Sequence, residues 1–483
     1  MIISLEQRLN KLIISYINKD GLISYMQLNV PTSHQYSYVL SSKGRSQPDV
    51  LSWNNKPVVK VPSEFLDPHR IQEFFMEAGE ELIAPLFEMN MPQMYCWDIE
   101  TDVTDDGFAE ASDAKNRINT MSWVHYPDVT VFGLKPLTGE QCQNIEDNIN
   151  EHVKKFNKQY KFIYKYYENE ADMLYDWGYN YAREAPLITG WNIWGYDWRY
   201  YANRCKRLNI DISWMSPTSQ WGPFTIVEKQ KKVKIMLPHH KLIVDYMTIY
   251  KKWDRSIEVK ENDTLEFVSD AALGISKVKY PGTFQDLYNK DYDKHVFYNA
   301  IDSVLVEIGN DHLKTMGIFL GLGNLTRVQA MQAFSPISML EATLTRYAYK
   351  RNKIFPKVRN EATRDEYEGA FVFEPTPGLY PWVASFDFAS LYPTIMRQFE
   401  ISVENFITKD KNFKTNEHQI KCVSGAVFDA STEPLLSEIL SNYYSERKES
   451  KKISQLAEKE AAELKIILNK RKSNSQASLV KEI

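Results

Sequence analysis

Cysteine is scarce in this chain, and the few cysteines are scattered. Cys96, Cys142, Cys205 and Cys422 form no C-x-x-C pair, which argues against a disulfide framework and against a zinc site of the usual spacing. This usage is typical of a reducing cytoplasm. Cys96 lies inside an apolar run, so we predict that it is a core residue.

Long apolar runs, internal repeats and low-complexity linkers are missing as well. No run reaches the roughly 18 residues of a membrane span. The N-terminal stretch MIISLEQRLNKLIISYINKDG is too interrupted by charge for a signal peptide. The sequence therefore predicts no membrane contact and a cytoplasmic location.

A strong charge of one sign is also absent, since 58 basic residues nearly balance 63 acidic ones. Composition alone therefore does not indicate a nucleic-acid partner, although a local basic track is compatible with it. The apolar fraction of 43% is that of a folded globular protein. A chain of 483 residues is too long for one core and predicts about three domains.

The pattern along the chain predicts an α/β multidomain protein. Residues 1–92 mix strand-like runs with a helical stretch and are predicted to be an α+β domain. After Pro92, apolar strands alternate with helical segments, which favours an α/β sheet. Later segments are predicted as follows: a basic β-hairpin at 225–244, helices at 310–358, two strands and a helix start at 368–396, and one long helix at 435–472, with Thr432 as its cap and Pro434 in its first turn.

Asp98 and Glu100 stand two residues apart in the predicted strand MYCWDIE. Residues two apart on a strand share a face, and two carboxylates forced together repel unless a cation lies between them. In a chain with this much charge a D-x-E pair is also common by chance, so the pair alone is a weak signal.

Two further segments carry acidic groups. Asn192 follows a predicted strand, and Asp197 comes after a Gly195 turn where a helix begins. An N-cap is the ordinary alternative for that aspartate. Tyr298 and Asp302 are four apart and share one face of a predicted helix, although such a pair is more often solvated.

Taken together, the three segments predict a metal site. The carboxylates of Asp98, Glu100, Asp197 and Asp302 are enough to hold two Mg²⁺ or Mn²⁺ ions. Such ions suit hydrolysis of a terminal phosphodiester, in which Tyr298 would orient the attacking water.

The order of these motifs resembles the proofreading 3′→5′ exonuclease of family B DNA polymerases. The pieces are DIE, then N-x-x-x-Y-D, then Y-x-x-x-D, with about a hundred residues between successive pieces. The resemblance implies an RNase H-like exonuclease domain in which Asn192 and Tyr196 contact the substrate. Tyr196 stands where that family usually has Phe, so an aromatic ring is kept.

A later stretch is similar to the palm entry of the same family, most of all in polymerases of T-even-type bacteriophages. It reads SFDFASLYPTIMRQFEIS and follows GAFVFEPTPG. The resemblance implies that Asp387 binds the metals that carry the incoming triphosphate. It further implies that the backbone up to Leu391 lines the triphosphate and that Tyr392 packs under the sugar and rejects ribonucleotides.

The helix containing YYSERKESKKISQ matches the fingers of that family. Arg447 and Lys451 are four apart and share a face, so they could clasp the β- and γ-phosphates. A solvated charged face is the alternative.

The resemblance divides the chain into four parts. These are the N-terminal domain at 1–92 with 310–358 packing back on it, the exonuclease domain at 93–309, a partial ferredoxin-like palm at 359–433, and a partial fingers region at 434–483. Two metal ions are expected in the exonuclease site and two in an assembled polymerase site.

Two motifs of a complete polymerase do not occur in the sequence: K-x-x-x-N-S-x-Y-G and the palm D-T-D. One carboxylate cannot hold both catalytic metals. We therefore expect an N-terminal subunit of a split viral polymerase in a bacterial host. Its partners would be primer-template DNA, deoxynucleoside triphosphates and a second polypeptide, through which a sliding clamp would be contacted. A free-standing exonuclease with a vestigial palm and a non-catalytic nucleic-acid-binding truncation are the alternatives.

Overall fold

The structure is a computed structural model that describes residues 1–41, 50–53, 55–103, 107, 109–228, 230–254, 262–278, 280, 282–355 and 371–481. The chain forms two compact units. The first combines Met1–Gln35 with Phe74–Thr343, and the second combines Tyr36–Glu73 with Leu344–Ile483. The domain limits expected from the sequence stay a prediction.

The strands in chain order are β1 (Ile2–Arg8), β2 (Lys11–Ile17), β3 (Ile23–Asn29), β4 (Tyr36–Leu40), β5 (Leu51–Ser52), β6 (Val58–Pro62), β7 (Met94–Thr101), β8 (Ile118–His125), β9 (Asp128–Gly133), β10 (Lys161–Tyr166), β11 (Leu187–Gly190), β12 (Trp221–Glu228), β13 (Lys231–Pro238), β14 (Leu242–Asp245), β15 (Lys353–Ile354), β16 (Phe406–Lys409), β17 (Gln419–Lys421) and β18 (Ala426–Asp429).

The α-helices are α1 (Ile71–Ala78), α2 (Glu80–Phe87), α3 (Gly139–His152), α4 (Glu170–Asp176), α5 (Asp197–Arg207), α6 (Tyr246–Trp253), α7 (Leu265–Val268), α8 (Phe284–Lys290), α9 (Tyr292–Leu313), α10 (Thr315–Thr326), α11 (Pro336–Lys350), α12 (Leu391–Gln398) and α13 (Leu435–Lys481). Two π-helical turns, Trp177–Ala182 and Ser269–Leu273, continue α4 and α7.

A mixed sheet of six strands organises the first unit, in the order β10-β9-β8-β7-β11-β14. The central pairs β7–β8 and β8–β9 are antiparallel, and the outer pairs β9–β10, β7–β11 and β11–β14 are parallel. Buried helix α9 packs across β7, β8 and β9. The carboxyl end of β7 therefore lies beside α9.

Large aromatic side chains fill the core next to β7. The indoles of Trp97 and Trp177 stack with ring centroids 4.4 Å apart, and Trp123 meets Trp177 edge to face. All three are at most 4% exposed. Buried aromatic rings supply much apolar area with few rotatable bonds, so they hold the strand that precedes the acidic residues in one position.

The second unit contains smaller sheets and two helices that pack on each other. Strand β4 pairs with β6, β5 with β15, and β18 lies between β16 and β17. Helix α12 packs against α13, where Arg397 Nε donates to Ser441 Oγ over 3.0 Å. A small core of Leu344, Ala348, Leu435 and Ile439 ties α11 to the start of α13.

Most predicted elements are confirmed. Cys96 is fully buried, and the basic hairpin exists as β12 and β13, joined at Glu228 and Lys231. The hairpin ends at Pro238, earlier than predicted. The last predicted residues, 242–244, belong to β14, which pairs with β11 in the six-stranded sheet.

The long helix begins at Leu435 and continues to Lys481, beyond the predicted end. Pro434 lies directly before it. The expected cap at Thr432 is wrong, because the first N–H of the helix, that of Leu435, donates to the Glu404 carboxylate instead. A distant side chain therefore satisfies a donor that the sequence assigned to a local cap.

The prediction of two strands between residues 368 and 388 is wrong for the residues that the structure describes. Residues 371–390 contain no strand before α12 begins at Leu391, and positions 368–370 lie outside the described residues. A strand needs a neighbour to satisfy its backbone groups, and no described strand pairs with this stretch. Its apolar side chains are exposed, with Trp382 at 100% and Phe386 at 92%.

Among the described residues, no helix combines the length and apolar character needed to cross a bilayer.

A buried ion pair joins α4, α5 and the start of β8. Arg204 Nε and Nη2 donate to Glu170 Oε1 and Oε2 over 2.8 and 2.6 Å, and Ile118 N–H donates to Glu170 Oε1 over 2.7 Å. The Glu170 and Arg204 side chains are 8% and 11% exposed. This contact fixes α5, whose first residue is Asp197.

Glu170→Gln is expected to lower the free energy of unfolding by about 3 kcal/mol, because it leaves a buried guanidinium without its counter-charge. Urea unfolding followed by tryptophan fluorescence measures the change. Glu151→Gln is the control, since Glu151 pairs with Lys154 at the surface, with both side chains 73% exposed, and should change stability by less than about 0.5 kcal/mol. Equal effects in the two variants would contradict the assignment.

Candidate metal centre

Strand β7 presents two carboxylates on one face. Asp98 and Glu100 alternate along the strand with Trp97 and Ile99, which are 0% and 4% exposed. Since successive side chains of a strand point to opposite faces, the aromatic core takes one face and both acidic groups take the other.

Helix α9 brings a third carboxylate to the same place. One oxygen from each of Asp98, Glu100 and Asp302 lies within 4.8 Å of the others. Asp302 is 7% exposed, and its Oδ1 has no hydrogen-bond partner among the described residues. The strand pair and the helix residue predicted from the sequence are thus brought together.

The fourth predicted carboxylate, Asp197, lies next to this group and not within it. Asp197 is the first residue of α5 and is buried. Its Oδ1 accepts a hydrogen bond from the N–H of Ile99 over 3.1 Å. It is therefore tied to the backbone of β7 between Asp98 and Glu100.

The electrostatics of the site are those of crowded acids. Burial, followed by the charges of Asp197, Glu100 and Asp302, raises the pKa of Asp98 well above its ordinary value. Burial and the charge of Asp302 do the same for the pKa of Glu100. The pKa of Asp197 is raised to about 7, mainly by burial, and hydrogen bonds from the backbone oppose that rise.

Lys277 enters this acidic cluster and was not predicted from the sequence. Its Nζ donates to Asp302 Oδ2 over 2.6 Å and to the Tyr298 hydroxyl over 3.1 Å. Burial lowers the pKa of Lys277, but Asp302 and Tyr298 outweigh that effect and the pKa is raised. Lys277 is therefore a cation at the centre, and it leaves Asp302 Oδ1 free.

Tyr298 lies one helical turn before Asp302 on α9. Burial, then the negative charge of Asp302, raises the pKa of its hydroxyl. Because this hydroxyl accepts from Lys277, its own proton is available to donate to another group. The hydroxyl of Tyr196 lies 3.2 Å from Oγ1 of Thr101, the last residue of β7.

Asn299 is the second residue that sequence reasoning missed. Its Nδ2 donates to Asp98 Oδ2 over 2.8 Å and to the backbone carbonyl of Asp98 at 3.4 Å. This bond orients the Asp98 carboxylate. Asn299 directly follows Tyr298, and its polar side chain on a predicted helix of mostly apolar residues was the available signal. No sequence signal pointed to Lys277, since it lies in a loop 25 residues before Asp302.

A cleft of about 470 Å³ opens over the carboxylates. Its size is ordinary for a small-ligand site. Asn192 lies on its wall in a left-handed conformation with φ 67°, and a Cβ at Gly195 would come within 2.4 Å of the Asn192 Oδ1. A side chain at position 195 would therefore displace the Asn192 side chain from its place on the cleft wall. The residues lining the cleft include Asp98, Asn192, Lys277 and Asp302 with Trp191 and Met247.

The residues fit a divalent cation. Three carboxylates converge, and one oxygen of Asp302 has no partner among the residues described. Hard oxygen donors of this kind are what Mg²⁺ and Mn²⁺ prefer. Crowded acids with raised pKa values are a frequent sign of such a site.

The predicted polymerase residues lie in the second unit and are exposed. Asp387 precedes α12, Leu391 and Tyr392 open that helix and are 42% and 76% exposed, and Arg447 and Lys451 lie exposed on α13. Within the part of the chain that the structure describes, no hydrogen bond or ion pair joins Asp387 to either cation. Their predicted roles stay predictions.

Two family descriptions match the chain: "DNA polymerase family B, exonuclease domain" over residues 75–256, and "DNA polymerase family B" over residues 337–475. Together they span well over half of the sequence, and the chain belongs to DNA polymerase family B. The metal centre on β7 lies within the exonuclease match, and the stretch from Asp387 to Lys451 lies within the second match.

Three relatives show how the similarity is distributed. The DNA-directed DNA polymerase of Escherichia phage RB69 is 30% identical over 322 residues, covering 64% of this chain and 35% of the relative. That of Enterobacteria phage T4 is 26% identical, covering 64% and 36%. The DNA polymerase catalytic subunit of Alcelaphine herpesvirus 1 (strain C500) is 26% identical, covering 85% and 40%. The chain thus spans about a third of the length of the two phage polymerases.

In the metal-free protein, Asp98→Asn is expected to raise stability at pH 8 by about 1–2 kcal/mol and by less at pH 5. The folded pKa of Asp98 is raised, so the wild-type site loses stability as pH rises through that pKa, whereas asparagine stays neutral. Chemical unfolding in chelator at both pH values measures the difference. Exposed Asp128→Asn is the control and should show no such dependence; a gain from Asp98→Asn that is equal at both pH values would contradict the account.

Proposed function

We propose that this chain is the N-terminal subunit of a DNA-directed DNA polymerase that copies a viral genome, and that it carries a complete 3′→5′ exonuclease. The observation that carries the proposal is the convergence of Asp98, Glu100 and Asp302, with Lys277 and Tyr298 beside them, next to a cleft that Asp98, Lys277 and Asp302 line. The match of residues 75–256 to the family B exonuclease domain supports it.

Asp98, Glu100 and Asp302, with Asp197 adjacent, would hold Mg²⁺ or Mn²⁺. When bound, two such ions supply an activated water and stabilise the charge that develops on the phosphate and on the departing 3′ oxygen. Before binding, Lys277 partly offsets the charge of Asp302, and the hydrogen bond from Asn299 fixes which way Asp98 points.

Tyr298 would position the attacking water. Lys277 donates to the Tyr298 oxygen, so the phenol is held in one orientation and its proton faces away from the lysine. Its raised pKa keeps that proton in place. The phenol would therefore act as a fixed hydrogen-bond donor. Asn192, on the wall of the cleft, and Tyr196 would contact the last nucleotides of a single strand.

The second unit would supply half of a polymerase site. We propose that Asp387 contributes one metal carboxylate, Leu391 and Tyr392 meet the incoming nucleotide, and Arg447 and Lys451 bind its phosphates. The second carboxylate would come from a partner polypeptide. The exposed apolar stretch around Trp382 and Phe386 supports this, because palm strands from a partner would give it neighbours to pair with.

The purified chain with Mg²⁺ is expected to shorten single-stranded DNA from its 3′ end, and Asp98→Ala should reduce the rate at least about a thousandfold, since a ligand and charge of the metal site are lost. A 5′-labelled oligonucleotide resolved on a sequencing gel shows the direction and the rate. Asp128→Asn, away from the cleft, is the matched control. Full activity in Asp98→Ala would exclude the site.

Primer extension is expected only when a polypeptide carrying the remaining palm motif is added, and Asp387→Asn should abolish it. The measurement is incorporation of labelled deoxynucleotides by the mixture and by each component alone. Exonuclease activity without primer extension, whichever polypeptide is added, would instead favour a free-standing exonuclease. That alternative is compatible with the converging carboxylates and with a palm stretch that pairs with no described strand.

A further inference from the structure

The loop that carries Lys277 is held from outside by Lys155, which lies in the 3-10 turn Lys154–Phe156 after helix α3. This loop follows the π-helical turn Ser269–Leu273, which ends at Gly274 in a left-handed conformation with φ 58°. Lys277 comes three residues later and reaches back to Asp302 and Tyr298. Its position in the cleft therefore depends on how Gly274 and Ser276 are fixed.

Lys155 makes the side-chain hydrogen bonds that fix this loop from outside. Its Nζ donates to two consecutive carbonyl groups, that of Leu273 and that of Gly274, the latter at 2.8 Å. A Cβ built on Gly274 would lie 3.1 Å from the same nitrogen, so the ammonium group sits directly over the turn. These carbonyls are the last ones of the π-turn, where backbone acceptors otherwise lack partners.

His152, the last residue of α3, lies close to the same loop. Burial lowers the pKa of its ring, and the backbone of Ser276, the residue immediately before Lys277, opposes that shift. Within the loop itself, Ile275 N–H donates to the Ser269 carbonyl over 3.2 Å, and Ser276 Oγ to Asp270 at the same distance. The internal bonds keep the loop in shape, whereas Lys155 ties it to the short helical turn that follows α3.

We propose that Lys155 is a positioning residue for the exonuclease reaction: it clamps the 273–276 backbone so that Lys277 stays in hydrogen-bond reach of Asp302 and Tyr298. This inference rests on the proposed exonuclease function. Gly274 and Lys277 are separated by only three peptide units, each of which spans about 3.3 Å. A shift of the Gly274 carbonyl would therefore also move the backbone of Lys277. Displacements of about 1 Å at positioning residues are enough to cost a large part of the rate.

The test compares Lys155→Met with Lys155→Arg, Lys154→Met, Lys277→Met and the double variant Lys155→Met/Lys277→Met. Lys154 is the matched control, because its ammonium pairs with Glu151 at the surface. The first readout is backbone hydrogen exchange of the 273–278 segment, which does not depend on activity. The second is kcat and KM for a single-stranded oligonucleotide with Mg²⁺.

Lys155→Met should speed exchange in 273–278 and lower kcat by about tenfold, with KM within about twofold. Lys155→Arg should restore most of both, Lys154→Met should match the wild type, and the double variant should be no slower than Lys277→Met. Unchanged exchange in Lys155→Met, or additive losses in the double variant, would overturn the proposal. If Lys155→Met does not fold, Lys155→Gln takes its place in the same comparison.

The clamp by Lys155 and the exonuclease function can be refuted separately. A wild-type chain that shows no exonuclease activity refutes the proposed function, yet faster exchange confined to 273–278 in Lys155→Met would still establish the clamp. An active wild type with unaltered exchange in that variant refutes the clamp alone.

Discussion

Crowding of negative charge at the end of β7 is the constraint on which the rest of the first unit depends. Carboxylates this close repel, and burial raises the cost of their ionised forms. Well-packed elements around the site offset that cost. Stacked Trp97 and Trp177 lie behind the strand, and the Glu170–Arg204 pair fixes α5. Repulsion among these carboxylates lowers the stability of the fold at this site. Such a local loss of stability is common at functional sites.

Hydrogen bonds then decide which oxygen atoms remain free. Asn299 orients Asp98, and the Ile99 N–H holds Asp197. Lys277 binds one oxygen of Asp302, while the other has no hydrogen-bond partner in the part of the chain that the structure describes. Held in this way, the carboxylates need little rearrangement to accept a metal ion. In the proposed exonuclease reaction, preorganised charge of this kind would be the largest single contribution to the rate.

The sequence predicted the carboxylates of the candidate metal centre better than the residues around them. Asp98, Glu100, Tyr298 and Asp302 could be found because strand and helix periodicity places them on common faces, and the structure brings them together. Lys277 could not be found, since it reaches the site from a loop and local spacing carries no trace of that contact. The palm strands were wrong because a strand pattern does not show whether a neighbour is present.

The central claim is that the carboxylates of Asp98, Glu100 and Asp302 form a metal centre. Anomalous X-ray diffraction from crystals of the chain soaked in Mn²⁺ tests it most directly. The account predicts a peak about 2.2 Å from oxygens of Asp98 and Asp302, with Lys277 still close to Tyr298. Saturating Mn²⁺ that leaves no peak between these carboxylates would contradict it.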